Sequence, residues 1–224
     1  MYKKICAVLL VVYFSFIFFG IPKIKSSVSK YRLMRQTVKV KVVKISEETG
    51  DYSSWQGTGV FIADNLIITA GHMVEDANKV TIIFANGKKY QADNWYQETE
   101  ADLAIININT PNKECKLNFD NAKLGEAVWA YGNSLGEGWI LTKGIVSAVD
   151  AYDSFMETKN MIITDCAVNV GNSGSALFDK HGNILGIYSW SYSYAKGMNY
   201  FVDAEVCILV LNKYYAIKAL EVIN

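Results

Sequence analysis

The sequence predicts an all-β protein built as barrels or sandwiches. About a dozen short segments rich in Val, Ile and aromatic residues recur between residues 37 and 202, a spacing typical of such folds. Turn signals separate these segments, among them Asp64-Asn65 and Asn86-Gly87. The chain of 224 residues contains 16 Gly but only 2 Pro, which favours strands joined by tight turns over a helical bundle.

The first strand is predicted over residues 37–45 (TVKVKVVKI), because apolar residues and lysines alternate there as in a half-buried strand. Further strands are predicted, in chain order, at 57–63, 66–69, 80–84, near Tyr90, and at 103–108, 127–131, 139–149, 161–168, 175–178, 184–190 and 200–202. The end of the chain differs. Asp203 is a candidate N-cap, Glu205 suits a first turn, and apolar residues follow at helical spacing, so a C-terminal helix is predicted over 203–218.

The N-terminal region carries an uncharged apolar run of 17 residues at 5–21 (ICAVLLVVYFSFIFFGI), long enough to cross a bilayer. No small-residue cleavage site lies near its end, which favours a transmembrane signal anchor over a removed signal peptide. Basic residues after the run oppose export of the domain that follows, whereas the very short flank with Lys3 and Lys4 fits signal-type insertion. We expect a domain on the periplasmic or extracellular side, or a secreted one if the segment is removed.

The predicted organisation is therefore a short basic N-terminus (1–4), the anchor (5–21), a basic linker (22–36) and one folded domain (37–224). With 51% hydrophobic and 20% charged residues, the chain can bury a core, so a disordered protein is excluded. The formal net charge of +0 gives no overall basic field, so no nucleic-acid partner is expected.

The cysteines show no metal-ligand spacing. Cys6 lies in the apolar run, which leaves Cys115, Cys166 and Cys207 in the folded domain. These three either remain buried free thiols or include one disulfide, and the sequence leaves both alternatives open. His181, in the turn sequence DKHGN, is interpreted as a solvated turn residue, so no metal site is predicted.

Three separate segments each supply one member of a nucleophile, base and acid set. His72 ends the segment TAGH, Asp102 is the second residue of ADLAIINI, and Ser173 lies in GNSGS. A serine hydroxyl is a weak nucleophile at neutral pH, and it needs a base to take its proton and an acid to orient that base. The order His, Asp, Ser in one chain predicts acyl-transfer chemistry at Ser173.

The glycines around Ser173 predict a binding site for the developing oxyanion. They permit a tight loop in which the backbone N–H groups of Gly171 and Ser173 converge on one point. Such donors stabilise the negative charge of a tetrahedral intermediate, and the chemistry needs no cofactor.

These motifs resemble the trypsin-like serine peptidases, and within that family the HtrA-type bacterial branch. The resemblance runs from about residue 36 to the end and is carried by GTGVFIADNLIITAGHMV, ADLAIINI, YGNSLGEGWILTKGIVSAV and TDCAVNVGNSGSALFDKHGNILGIYSW. It implies two six-stranded antiparallel barrels, over about 37–118 and 119–202, followed by the helix at 203–218. The first barrel would supply His72 and Asp102 and the second Ser173.

The chain departs from the HtrA-type pattern in two ways. The usual G-N-S-G-G-P reads GNSGSA here, with Ser175 in the place where the glutamyl endopeptidase branch commonly has serine. We also expect the protease domain alone, without the C-terminal PDZ domain that HtrA-type proteins usually carry.

The resemblance implies a serine endopeptidase that forms an acyl-enzyme on Ser173 and acts on protein or peptide substrates. A pocket that prefers small or medium apolar P1 residues is implied, because the positions that line it in the family carry no charge here: Ala167, Val168, Tyr188, Ser189 and Trp190. The alternative function is that of a glutamyl-type endopeptidase or an esterase with the same triad. A third hypothesis is an inactive binding or chaperone-like scaffold. The oligomeric state stays open.

Overall fold

The computed structural model describes residues 36–46, 48–110, 118–153 and 158–223. The predicted anchor at 5–21 and nearly all of the basic linker, together with Cys6 and Cys115, lie outside the described residues. Within the described ranges, no helix is long and apolar enough to cross a membrane.

The first half of the domain is a seven-stranded antiparallel sheet with the order β5-β4-β1-β2-β3-β7-β6. Its strands are β1 (Thr37–Ile45), β2 (Tyr52–Ala63), β3 (Leu66–Ala70), β4 (Lys79–Ile83), β5 (Lys89–Gln91), β6 (Asn94–Glu98) and β7 (Leu103–Asn107). The prediction of a closed six-stranded first barrel is wrong for the described residues. The added strand β6 pairs with β7, and the opposite edge ends in β5, which is only three residues long and does not pair with β6.

The second half is a closed six-stranded barrel, which confirms the predicted architecture for this part of the chain. Its order is β10-β13-β12-β11-β8-β9, and its strands are β8 (Ala127–Gly132), β9 (Ile140–Asp153), β10 (Thr158–Thr164), β11 (Ala176–Phe178), β12 (Ile184–Ser191) and β13 (Asn199–Asp203). The strand predicted over 161–168 ends at Thr164. At this end, the Asn199 side chain donates to the carbonyls of Thr164 and Cys166.

The predicted C-terminal helix is confirmed and spans α1 (Ala204–Ile223). Its first turn is capped as expected, since the Asp203 carboxylate accepts the Glu205 N–H at 2.7 Å. An ion pair of 2.8 Å between Lys218 and Glu221 supports the last turns, beyond the predicted end at 218.

An apolar core joins the two halves and the helix. Side chains of the first sheet, such as Ile68 and Ile105, pack there against Phe178 and Ile187 of the barrel and Tyr214 of α1. Each half also has a core of its own. Cys166 and Cys207 are buried free thiols. The shared core fixes the ends of β3 and β7 against the barrel strands and the loop that precedes β11.

Candidate active site

The ladder between β3 and β7 brings His72 next to Asp102. Ala70, the last residue of β3, pairs with Leu103, the first residue of β7. His72 follows in a single 3-10 turn, Gly71–Met73, and the Gly71 N–H donates to the Asp102 carbonyl at 2.8 Å. A Cβ on Gly71 would lie 2.9 Å from the Leu103 nitrogen, so only glycine permits this close crossing.

The Asp102 carboxylate is surrounded by donors. His72 Nδ1 lies 3.0 Å from Oδ2 and 3.1 Å from Oδ1, and the His72 backbone N–H donates to Oδ1 at 2.8 Å. The Ser189 hydroxyl, from β12 of the barrel, donates to Oδ2. The Asp102 side chain is 7% exposed, whereas the His72 side chain is 41% exposed. The acid is therefore buried and held from both halves of the domain, and part of the ring stays accessible.

The pKa values of the pair move apart. Burial of Asp102 opposes its ionisation, but the hydrogen bond and the charge of His72, with the Ser189 hydroxyl, outweigh burial and lower the pKa of Asp102 below 3.8. Burial likewise disfavours the charged form of His72, and the Asp102 carboxylate outweighs it, so the pKa of His72 is raised above 6.5. Asp102 is thus ionised at neutral pH and stabilises a proton on the ring.

Ser173 lies in a loop between β10 and β11 that packs against the first sheet. The Ser173 carbonyl accepts the Thr58 N–H at 2.8 Å, and the Gly174 N–H donates to the Tyr188 carbonyl at 2.8 Å. Gly174 has φ +83°, and a Cβ there would lie 2.8 Å from the Ala70 nitrogen. The loop therefore sits against β3 two residues before His72, although within the described residues no hydrogen bond joins the Ser173 hydroxyl to the His72 ring.

The predicted oxyanion donors are free of protein acceptors: across the described ranges, the N–H groups of Gly171 and Ser173 make no hydrogen bond. The carbonyl of Val170 accepts the Leu135 N–H at 2.7 Å. Because the N–H of a trans peptide points away from its carbonyl, the N–H of Gly171 faces away from Leu135.

The five predicted pocket residues occupy different environments. Ala167 is exposed, and its carbonyl accepts the Thr142 hydroxyl at 2.8 Å. Val168 and Trp190 are half-buried, with the Trp190 ring stacked on Tyr200 at 4.9 Å. The Tyr188 side chain is buried in the barrel core and its hydroxyl bonds to Ser191.

Sequence reasoning assigned Ser189 to substrate binding and missed its hydrogen bond to Asp102. The two residues are 87 positions apart and on different halves of the domain, so no local pattern indicates the contact. His181 lies in the exposed turn between β11 and β12, as predicted. In the described part of the chain, no group of three His, Cys, Asp or Glu side chains is placed to hold a metal ion.

Comparisons with known proteins show which family and fold the chain resembles. The family model of the trypsin-like peptidase domain matches residues 57–187, a range that includes His72, Asp102 and Ser173. A "Probable periplasmic serine protease do/HhoA-like" of Haemophilus influenzae is 33% identical over 138 residues, which is 58% of this chain and 30% of that protein. The serine endoprotease DegS of Haemophilus influenzae is 29% identical over 167 residues, 70% of this chain and 49% of that protein.

A solved structure, "HtrA-type protease AlgW with tripeptide", superposes with a TM-score of 0.72 at 25% identity and covers 82% of this chain and 63% of that one. The chain thus spans less than half the length of the two curated relatives. The family model matches more than half of this chain, and the fold of the solved relative agrees with it. The chain belongs to the family of trypsin-like peptidase domains.

Proposed function

We propose that this protein is a serine endopeptidase that cleaves peptide bonds through an acyl-enzyme on Ser173. The observation that carries the proposal is the His72–Asp102 pair, joined at 3.0 Å and lying at the ends of the paired strands β3 and β7, against which the Ser173 loop packs. The names of the relatives, a periplasmic serine protease and a serine endoprotease, support the same reaction.

In the first step, the Ser173 oxygen adds to the substrate carbonyl while its proton passes to Nε2 of His72. The N–H groups of Gly171 and Ser173 stabilise the oxyanion that forms. The C–N bond then breaks, and the leaving amine takes the proton from His72. A water molecule attacks the resulting ester, gives its proton to His72 and releases the acid, and Ser173 recovers its proton.

Asp102 acts as the orienting acid of this cycle. Its carboxylate accepts Nδ1–H, which leaves Nε2 as the basic nitrogen of the neutral ring. It also stabilises the imidazolium formed in each proton transfer, in line with the raised pKa of His72. The Ser189 hydroxyl fixes the carboxylate from the opposite half of the domain.

The substrates are proteins or peptides, with a small or medium apolar residue before the cleaved bond. A tripeptide in the related AlgW structure supports a peptide substrate. Neither Ala167 nor Val168 carries charge, so an Arg or Lys side chain would lose hydration there without a carboxylate partner. A glutamyl preference would need a strong donor, and the Tyr188 hydroxyl is already bonded to Ser191 within the buried barrel core.

The domain is further proposed to lie outside the cytoplasm, tethered by the apolar run at 5–21 and the linker at 22–36. The word periplasmic in the name of one relative supports this location. Protease protection on spheroplasts tests it, since the outer face of the cytoplasmic membrane is accessible there and an exported domain is digested without lysis of the spheroplasts. Digestion only after lysis would contradict the proposed orientation.

Mass spectrometry of peptides released from a denatured protein mixture tests activity and specificity together. We expect cleavage after Ala, Val, Ile or Leu, with modest discrimination among them, because each apolar group contributes only about 1 to 3 kcal/mol. Dominant cleavage after Glu, Arg or Lys would contradict the pocket assignment. Hydrolysis of ester substrates with no peptide release would favour the esterase alternative.

A further inference from the structure

Thr58 of β2 connects the first sheet to the loop that carries the proposed oxyanion donors. It is completely buried, and each of its polar groups has a partner. Its N–H donates to the Ser173 carbonyl at 2.8 Å, and its carbonyl accepts the Thr69 hydroxyl at 2.7 Å. Its hydroxyl lies 2.8 Å from the Gly171 carbonyl and 3.0 Å from the Asn133 nitrogen.

The direction of both hydroxyl bonds follows from the groups involved. The backbone nitrogen of Asn133 can only donate, so the Thr58 oxygen is its acceptor. The Gly171 carbonyl can only accept, so the single hydroxyl proton of Thr58 points to Gly171. One hydroxyl thus joins two segments of the barrel half, residues 133 and 171, to a strand of the first sheet.

The neighbouring glycine makes this approach possible. A Cβ on Gly57 would lie 2.8 Å from the Ser173 carbonyl oxygen and 2.6 Å from the Met73 sulfur. The segment Gly57–Thr58 therefore brings the strand into direct contact with the loop around Ser173.

We propose that Thr58 is a positioning residue for the oxyanion-binding loop. The carbonyls of Val170, Gly171 and Ser173 accept hydrogen bonds from outside the loop, and Thr58 supplies the last two, one by its hydroxyl and one by its N–H. Gly171 has φ +92°, a glycine conformation from which other backbone orientations are accessible. The Gly171 carbonyl belongs to the 171–172 peptide, which lies between the two peptides that carry the N–H groups of Gly171 and Ser173. By fixing that peptide, the Thr58 hydroxyl fixes the backbone that joins the two donors. This inference rests on the proposed peptidase function.

Thr58→Val tests the hydroxyl at nearly constant side-chain volume. It leaves the Gly171 carbonyl and the Asn133 N–H buried without partners, so the loop is free to reorient. We expect kcat to fall roughly 10- to 100-fold, which is at most the fall that removal of one oxyanion donor causes. We expect KM to change less than about twofold. Thr58→Ser keeps the hydroxyl and should restore kcat to within about threefold of the unmodified chain.

Thr164→Val is the matched control. Thr164 is equally buried, and its hydroxyl also accepts one backbone N–H, from Cys166, and donates to one carbonyl, of Ile145. Its partners lie on β9 and two residues after β10 rather than on the oxyanion loop. We expect the melting temperature of Thr164→Val to fall about as much as that of Thr58→Val. Its kcat should stay within about twofold of that of the unmodified chain.

The experiment measures kcat and KM on unfolded casein, and the labelling rate with a fluorophosphonate whose phosphoryl oxygen would occupy the oxyanion site, in the full chain and its variants. The inference is supported if Thr58→Val loses both casein turnover and labelling, while Thr58→Ser and Thr164→Val keep both rates close to those of the unmodified chain. If Thr58→Val does not fold, Thr58→Ala takes its place. The inference is overturned, while the peptidase function stands, if the Thr58→Val or Thr58→Ala protein has the rates of the unmodified chain. It is also overturned if Thr58→Ser loses as much activity as that protein does. An unmodified chain that neither cleaves casein nor takes up the probe overturns both.

Discussion

The two halves of the domain position their parts of the proposed active site in different ways. The first sheet holds His72 and Asp102 at the ends of two paired strands, and the ladder from Leu66↔Asn107 to Ala70↔Leu103 fixes their separation. The barrel presents Ser173 on a loop whose backbone is fixed by single hydrogen bonds to other segments, such as those from Thr58 and Tyr188. A paired ladder tolerates the loss of one contact better than a loop tied at a few points does.

The strongest test of this comparison removes the reactive atom of the barrel half. Ser173→Ala should lower casein turnover by roughly 10⁵- to 10⁶-fold, because the other groups have no nucleophile to activate. The melting temperature should change little, since the backbone ties of the loop remain. Turnover is measured by release of acid-soluble peptides, and turnover within tenfold of the unmodified chain would show that Ser173 is not the nucleophile.

The next test removes the charge of the first sheet. Asp102→Asn should lower kcat by about 10⁴-fold, because the amide no longer holds the ring in the reactive tautomer. The pH at which activity is half-maximal should also move down, since the carboxylate that raises the pKa of His72 is gone. A pH profile of kcat/KM measures both effects.

Asp179→Asn is the matched control for that test. Asp179 is also buried, and its carboxylate accepts the His181 and Asn183 N–H groups in the turn after β11. Its replacement should lower stability but leave the pH profile in place. A profile that shifts equally in both variants would contradict the role assigned to Asp102.

The unmodified chain should itself show the coupling of the pair in its pH dependence. The neutral ring of His72 accepts the proton of Ser173, so activity is present above the pKa of His72 and is lost as pH falls through it. Because that pKa is raised, the half-maximal pH of kcat/KM should lie above 6.5. A midpoint below 6.5 would mean that Asp102 does not interact with the ring as the geometry indicates.

A smaller effect is expected from the contact that links the halves at Asp102. Ser189→Ala removes a donor that lowers the pKa of Asp102, and it should reduce the free energy of unfolding at neutral pH by about 1.5 to 3 kcal/mol. A lowered carboxyl pKa stabilises the fold above about 3.8 and loses that effect as pH falls through the folded-state value. The stability difference between the two chains should therefore shrink in acid.

Ser191→Ala, which removes the partner of the Tyr188 hydroxyl, is the control for that pH dependence. Thermal melts between pH 3 and 8 compare the three chains. A difference between the unmodified chain and Ser189→Ala that stays constant over this range would contradict the link to Asp102.

The same contrast explains what the sequence could predict. The contact between His72 and Asp102 was predictable because one residue follows an apolar strand and the other precedes one. The strand pattern predicted barrels or sandwiches, the closed second barrel was implied by the family resemblance, and the capping and apolar spacing after Asp203 predicted the C-terminal helix. Strand β6 was missed because its residues 94–98 (NWYQE) show no alternation of apolar and polar side chains, although Trp95 packs against the core of the first sheet.

The contacts that hold the barrel half of the site were beyond sequence reasoning. The Thr58 hydroxyl and its acceptor on Gly171 are 113 residues apart, and Ser189 is 87 residues from Asp102. Such pairs form only because the shared core packs the two halves together. The predicted pocket residue Tyr188 illustrates the same point, because its strand position was predictable and the burial of its ring was not.

Mapping the site of fluorophosphonate attachment tests the central claim most directly. The full chain is treated with the probe, digested, and analysed by tandem mass spectrometry, with Ser173→Ala treated in parallel. We predict a single adduct on the Ser173 oxygen, no adduct in Ser173→Ala, and a labelling rate that falls with the protonation of His72. An adduct on another residue, or equal labelling of Ser173→Ala, would contradict the account.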